Sequence, residues 1–600
     1  MKQYSVSAGC PDVMGVSIKD GVLNAAVENT EYRPATLNLY NRRSKKLYAQ
    51  IPFDENAHLG SIYSMRAEGI DTGDLCYRFG IGNSEFADPY AKALTGTEKY
   101  GHHEPYGLFG INEYAWENRR PGLKWRDSVI YLLNVRGFSR HKSSGTAYGG
   151  TFRGIADKTG YIKKLGVTTL LLQPAYDFDE VIKNRLTAET RTNYWGYTSG
   201  NFFAPKAAYA SGDAADEFRY MVDRLHGDGI EVMMQFYFPD GTKSSFIYEC
   251  LKYWVLTYMI DGFQIMGADI PFKTIAGEPV FSDTKIMAMN PDVDAVYSDG
   301  RQPVIKNIGA MGDDFMYDCR KFLKGDEDML SLFTHHLLDN PQKCAVINYI
   351  TTYYGFTLDD LVSYDRKHNE NNGEGNNDGN EYNYSWNCGA EGKSRKKAVM
   401  KLRTSQIKNA MTMLFLAQGV PMLRAGDEFC NSQNGNNNAY CQDNNISYLD
   451  WTDLDKHKDI FEFTMKLIYF RREHPLFRSR DRKRMIDYMS CGYPDVSFHG
   501  EQAWSPKFEN YNRHIAVMYY GAYEKLDNGR RDDDFYAAYN MHWENHIFHL
   551  PTPPKGKTWK LIMRTTEGFN EVPEIIKDNE VNVSARSIVL LKAFRDDKKK

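Results

Sequence analysis

The sequence predicts an α/β protein, a (β/α)8 barrel flanked by an N-terminal β-sandwich and a C-terminal antiparallel β-domain. Three observations carry this expectation. Short alternating segments open the chain, apolar runs then alternate with helical patterns through its middle, and short alternating segments return at its end. Six hundred residues exceed what one hydrophobic core serves, so several domains are expected, at 1–100, 101–485 and 486–600.

In the first part, LNAAVENTEYRPATLNLYNRRSKKLYAQIPF reads as two or three strands joined by polar connections, the spacing of a small sandwich. From about Asp127 the runs SVIYLLNV, TTLLLQPA, EVMMQFYF, GFQIMGA, TKIMAMN and CAVINYI have the continuous apolar character of buried parallel strands. Helical patterns such as GTFRGIADKTGYIKKLG and AADEFRYMVDRLHGDG lie between them. Repeated strand–helix units favour a (β/α)8 barrel. A doubly wound sheet is the rival on periodicity, and no G-x-G-x-x-G or Walker pattern supports it. Two Asn- and Gly-rich segments, His368 to Gly389 and Asn431 to Asn445, read either as low-complexity disorder or as ordered loops. Their Trp and Tyr anchors and their places over the barrel's top face favour order. After the helix FEFTMKLIYFRREHPLF, alternating strands run through to IVLLKAF. Lys598, Lys599 and Lys600 read as a solvated tail.

A net charge of −4 argues against general attraction to nucleic acid or to an anionic membrane. The nine cysteines are scattered, with no CxxC pair and no Cys/His cluster in sequence, so neither a zinc site nor a disulfide framework is expected. No metal and no organic cofactor is expected. No stretch approaches a membrane span and the first residues lack an apolar core, so the cytoplasm is the expected compartment.

Longer motifs are more specific. ADPYAKALTG (from Ala87), DSVIYLLNVRGFSR (from Asp127) and NYWGYTSGNFFAPKAAYA (from Asn193) resemble segments of bacterial isoamylases and glycogen-debranching enzymes, in that family's order. So do VSYDRKHNENNGEGNNDGNEYNYSWNCGAEG (from Val362), AGDEFCNSQNGNNNAYCQDNNISYLDW (from Ala425) and DDDFYAAYNMHWE (from Asp532). The group belongs to glycoside hydrolase family 13, the α-amylase superfamily. The resemblance implies a barrel fold, α-1,6-glucan substrates and a covalent glycosyl-enzyme.

Such chemistry needs a carboxylate nucleophile and a carboxylic acid about 5–5.5 Å apart across the scissile bond. The family's fourth-strand motif, G-F-R-x-D-x-A, corresponds here to Gly262-Phe263-Gln264-Ile265-Met266-Gly267-Ala268. Met266 therefore takes the nucleophile's place and Gln264 that of the arginine. A thioether cannot form the glycosyl ester. At the fifth strand Met289 stands for the acid/base, and at the seventh Tyr354 stands for the third carboxylate with Tyr353 in place of histidine. The third-strand motif becomes Gln235-Phe236-Tyr237-Phe238-Pro239-Asp240. The anchors around each motif fix these registers without gaps.

The resemblance thus implies no catalytic residues at the family's positions, and a non-catalytic relative is expected. It would bind α-glucan (glycogen, amylopectin or limit dextrin) or act as regulatory partner to an active debranching enzyme. The alternative is an active glycoside hydrolase or transglycosylase using relocated carboxylates, with Asp240, Asp269, Asp283 and Asp292 as nearby candidates. Tyr194, Trp195 and Tyr197 fall where the family stacks a glucose ring, and packing of their loop is the competing reading. The bulky replacements are expected to narrow the cleft. Arg136, His141 and Arg191 read as ion-pair partners, and Trp386 and Trp451 as packing residues.

Overall fold

The computed structural model describes residues 4–183, 190–297 and 306–596. The lysines of the terminal tail lie outside this range. Eight parallel strands close into a barrel, numbered here β1 Ile130–Leu133, β2 Thr169–Leu172, β3 Glu231–Tyr237, β4 Gly262–Met266, β5 Lys285–Met289, β6 Ile308–Met311, β7 Ala345–Asn348 and β8 Val420–Arg424. Closure is direct, with Ile130 of β1 opposite Met422 of β8. The six apolar runs of the sequence supply six strands; β6 and β8 complete the ring.

Inward and outward positions alternate along each strand. Outward residues such as Leu170, Val232, Phe263 and Ile286 pack beneath the surrounding helices. The patterned segment after Gly150 forms two helices, Phe152–Asp157 and Thr159–Leu165, and the second pattern forms Ala214–Gly227. Inward residues fill the barrel in layers. At the N-terminal end, Lys285 Nζ donates to Glu231 at 2.5 Å and to the Leu123 carbonyl at 2.6 Å, a buried ion pair with its hydrogen bonds made. Above it lie Leu132, Leu171, Met233, Met287, Met311, Ile347 and Met422. Unbranched thioethers adapt to the irregular gaps of such an interior.

Two antiparallel sheets precede the barrel, and their facing residues, among them Leu23, Ala25, Leu37, Leu39, Ile51 and Phe79, make a core of their own. The predicted strands of this region are Val22–Glu28, Ala35–Asn41 and Leu47–Pro52. After the helix Lys458–Glu473 come a six-stranded antiparallel sheet and a two-stranded one between Val496 and Arg595.

Both Asn-rich segments are ordered, and they are ordered by each other. Asn369 Nδ2 donates to Asn437 Oδ1 at 2.8 Å, and Asn437 N–H donates back to Asn369 Oδ1 at 2.9 Å. Asn436 donates to Asn372 at 2.9 Å, while Asn372 and Asn438 both donate to Asp378. Asn437 Nδ2 also donates to Asn383 Oδ1 and the Asn380 carbonyl. Side-chain amides carry both donor and acceptor, so they can zip two polar loops without burying charge. Asn437→Ala should strand several buried partners and cost about 1–3 kcal/mol. A lower urea midpoint and faster proteolysis within 368–389 are expected; an unchanged midpoint would show that the two loops order independently.

Candidate active site at the barrel mouth

The C-terminal ends of the strands carry a connected neutral cluster. Gln173, just past β2, donates through Nε2 to the Tyr197 hydroxyl at 3.2 Å. That hydroxyl donates to Gln235 Oε1 of β3 at 2.6 Å, and Gln235 Nε2 donates to Gln264 Oε1 of β4 at 2.6 Å. Gln235 and Gln264 are buried. The amides bond across the strand ends because Gln235 and Gln264 stand directly opposite each other in the parallel register.

Met266 ends β4, with its sulfur 3.9 Å from the Tyr353 hydroxyl. Tyr353 stacks on Tyr197 with ring centres 4.7 Å apart, and Trp195 meets Tyr353 edge-on at 5.2 Å. Tyr354 crosses Tyr353 at 4.9 Å and donates to Asp313 Oδ1 at 2.6 Å. Tyr349 donates to the same oxygen at 2.7 Å. Burial pushes the Tyr353 phenol up to about 12, and burial together with Asp313 pushes Tyr354 far above the ordinary phenol range. Both therefore stay protonated near neutral pH, as donors without charge. Met289, at the end of β5, is 40% exposed and stands apart from this cluster.

The three aromatics of the β2 loop divide. Tyr194 is only 3% exposed, and its hydroxyl lies so close to Gly137 that a Cβ there would come within 2.0 Å. It packs the loop onto the chain after β1 and also lines the cavity beside Trp195. Trp195 and Tyr197 are half-buried and take part in the cluster. Beside them is a cavity of about 50 Å³ lined by Asn134, Gln173, Tyr194, Trp195, Tyr353 and Gln433, among others. At about 10–15 Å³ each, it has room for a few waters.

Among the described residues, none of the four nearby carboxylates makes a hydrogen bond or ion pair to this cluster. Asp283 lies at the opposite end of the barrel, before β5, and pairs with Arg120 at 3.3 Å. Asp292 accepts from the Ala295 N–H at 2.9 Å, capping the short helix Val293–Val296. Asp240 and Asp269 are exposed in the loops after β3 and β4. Asp313, after β6, is the carboxylate that sequence reading missed. Its strand is one of the two outside the apolar runs, so no register led to it.

Arg136 pairs with Asp443 at 2.5 Å, His141 lies 3.7 Å from Asp450, and Arg191 pairs with Glu374. Trp451 is buried, donating to the Phe138 carbonyl at 2.8 Å, and Trp386 packs partly buried against the main core. No helix among the described residues is long and apolar enough to cross a membrane.

A closed parallel barrel with aromatic loops over its strand C-termini and β-domains on either side is the architecture of the α-amylase superfamily, and the alpha amylase catalytic-domain model matches residues 132–239. Isoamylase 3 (chloroplastic) of Oryza sativa subsp. japonica is 31% identical, the match covering 98% of this chain and 87% of that protein. The glycogen operon protein GlgX homolog of Haemophilus influenzae is 31% identical over 69% of this chain and 77% of its own. The chain belongs to the isoamylase and glycogen-debranching group of that superfamily. Among solved structures, the catalytic module of the glycogen-degrading pneumococcal virulence factor SpuA superposes with TM-score 0.75 at 15% identity, covering 98% of this chain and 97% of the module. Pullulanase from Paenibacillus barengoltzii, in complex with maltohexaose and alpha-cyclodextrin, gives 0.71 at 19% identity, covering 98% and 96%. Both share the fold.

Gln264→Arg should place a cation in the buried neutral cluster and cost about 3–5 kcal/mol, the penalty of an uncompensated buried charge. Urea denaturation of the variant measures it. A loss under about 1 kcal/mol would mean that a carboxylate can reach the guanidinium.

Proposed function

We propose that this chain is a non-hydrolytic member of the debranching family, which holds α-glucan and serves as a regulatory partner in glycogen or starch metabolism. The observation that carries the reading is the neutral cluster at the mouth. Where the motif alignment puts the family's nucleophile and arginine, Met266 faces a tyrosine hydroxyl and Gln264 is spent on Gln235. Where it puts the third carboxylate, Tyr354 donates to Asp313. A retaining reaction needs an ionised nucleophile and, opposite it, a proton donor at the leaving oxygen. Methionine can be neither, and Met289 at the acid's place points a thioether toward solvent.

The glucan half of the proposal rests on Trp195 and Tyr197. Both are partly exposed at the barrel mouth, and sugar stacking needs a face rather than a charge. The close stacking of Tyr197 on Tyr353 narrows the floor beneath them, so a glucan would lie across the rim instead of descending into the barrel. A protein partner, most simply an active debranching enzyme, would supply hydrolysis. All nine cysteines are free, six of them buried, which suits a reducing compartment, and we take that to be the cytoplasm.

The chain should be retarded in gels containing glycogen or amylopectin, and Trp195→Ala should weaken that retardation at least several-fold. Retardation that is absent on both gels would sink the glucan half. Prolonged incubation with pullulan and glycogen should release no reducing ends above those of a heat-killed control. Release that persists in a carefully purified chain and disappears in Asp313→Asn would favour relocated catalysis instead.

A further inference from the structure

The geometry points to a divalent-metal site of the zinc class in the C-terminal β-domain, with Glu501, His514 and His546 as ligands and His542 as the positioning residue behind them. These residues are far apart in sequence, and no spacing motif joins them. The fold brings one ligand atom from each of the three to within 4.8 Å of the others. His514 begins the strand His514–Tyr519, and His546 begins His546–His549. Glu501 is held over them by its own backbone, whose carbonyl accepts from the His549 N–H at 2.8 Å.

Hydrogen-bond polarity makes the case stronger than proximity. His542 Nδ1 accepts the Glu544 N–H at 3.3 Å, so that nitrogen carries a lone pair. His546 Nε2 lies 3.1 Å from the same atom and must therefore be the donor between them. A neutral His546 with its proton on Nε2 then directs the bare Nδ1 at Glu501 Oε1, 2.7 Å away. Two acceptors face each other at contact distance. A proton between them, on His546 or on Glu501, or a metal shared between nitrogen and carboxylate resolves this. His514 tips the choice. Its ring lies beside that of His546, and its Nδ1 is buried without a hydrogen-bond partner among the described residues. A proton between His546 and Glu501 does nothing for that nitrogen, whereas a metal gives it a bond.

Two imidazoles and a carboxylate form a zinc-type donor set that leaves a fourth position for water. Bonds of about 2.0–2.2 Å bring ligand atoms to roughly 3.3–3.5 Å of one another in a tetrahedron. Stacked rings cannot both aim an in-plane lone pair at one ion. Binding therefore turns the His514 ring out of its stack and swings in Glu501, the most exposed of the three, to close the remaining distance. His542 accepting from Nε2–H fixes the tautomer that presents Nδ1, the usual outer partner of a metal-bound histidine. Bound metal would tie the loop at Glu501 to the strands that begin at His514 and His546.

The test uses the full chain, stripped with a chelator and titrated with zinc chloride, then with cobalt chloride. We expect one ion that is lost in His514→Ala and His546→Ala, bound at least tenfold more weakly in Glu501→Gln, and about 10–100-fold more weakly in His542→Ala. Because Glu501 is a surface side chain, its conservative variant keeps the fold and guards against misreading an unfolded protein. Cobalt should give ligand-field absorption without the intense thiolate charge-transfer band, which separates this site from the nine cysteines. Equal zinc uptake by wild type and Glu501→Gln, a thiolate band, or no cobalt ligand-field absorption at saturating metal would each overturn the proposal and leave a proton bridging His546 and Glu501.

Discussion

The hydrogen-bond chain from Gln173 through Tyr197 and Gln235 to Gln264 is the constraint on which the barrel mouth depends. It joins the ends of three neighbouring strands and uses donors and acceptors in strict sequence. Each member has its polarity set by the one before. A charged residue inserted anywhere would leave a neighbour facing the wrong partner and would itself be buried without a counterion. The neutrality of this hydrogen-bonded run is therefore a property of all four members, and no single side chain carries it.

The aromatic cluster follows from the same constraint. Tyr197 is fixed by its hydroxyl, so its ring is fixed, and Tyr353 stacks on it while approaching Met266. Trp195 and Tyr354 then close around Tyr353. The buried Glu231–Lys285 pair lies at the opposite end, while Asp313, which accepts from tyrosine hydroxyls, and Arg424 border the mouth. Between these ends the barrel is filled with methionine and aliphatic side chains.

Much of this was legible in the sequence, for identifiable reasons. The barrel was readable because six strands are apolar runs and because long family-like loops frame them. Strand β8 hid behind Pro421, since proline argues against an interior strand, and the short, glycine-containing Ile308–Met311 gave little periodicity. Missing β6 meant missing Asp313. Gln264, Met266 and Tyr353 stand out in the sequence against the family's motifs, but their mutual contacts depend on strand register, which no local pattern encodes. Within one sequence motif Tyr194 is buried whereas Trp195 and Tyr197 are partly exposed, a difference that no local pattern encodes. Order in the Asn-rich loops was expected from their anchors, whereas the amide pairs between Asn369, Asn372, Asn436 and Asn437 required both loops to be seen together.

The central claim is that Met266, at the family's nucleophile position, cannot accept a glycosyl group and that no other side chain at this mouth has taken over that role. The most direct measurement is the intact mass of the protein after incubation with a fluorinated maltosyl fluoride, a reagent that arrests retaining glycosidases as covalent glycosyl-enzymes. The account predicts an unchanged mass at reagent concentrations that fully label an active debranching relative run in parallel. A stoichiometric increase by one glycosyl unit, mapped to a residue at the barrel mouth, would contradict it.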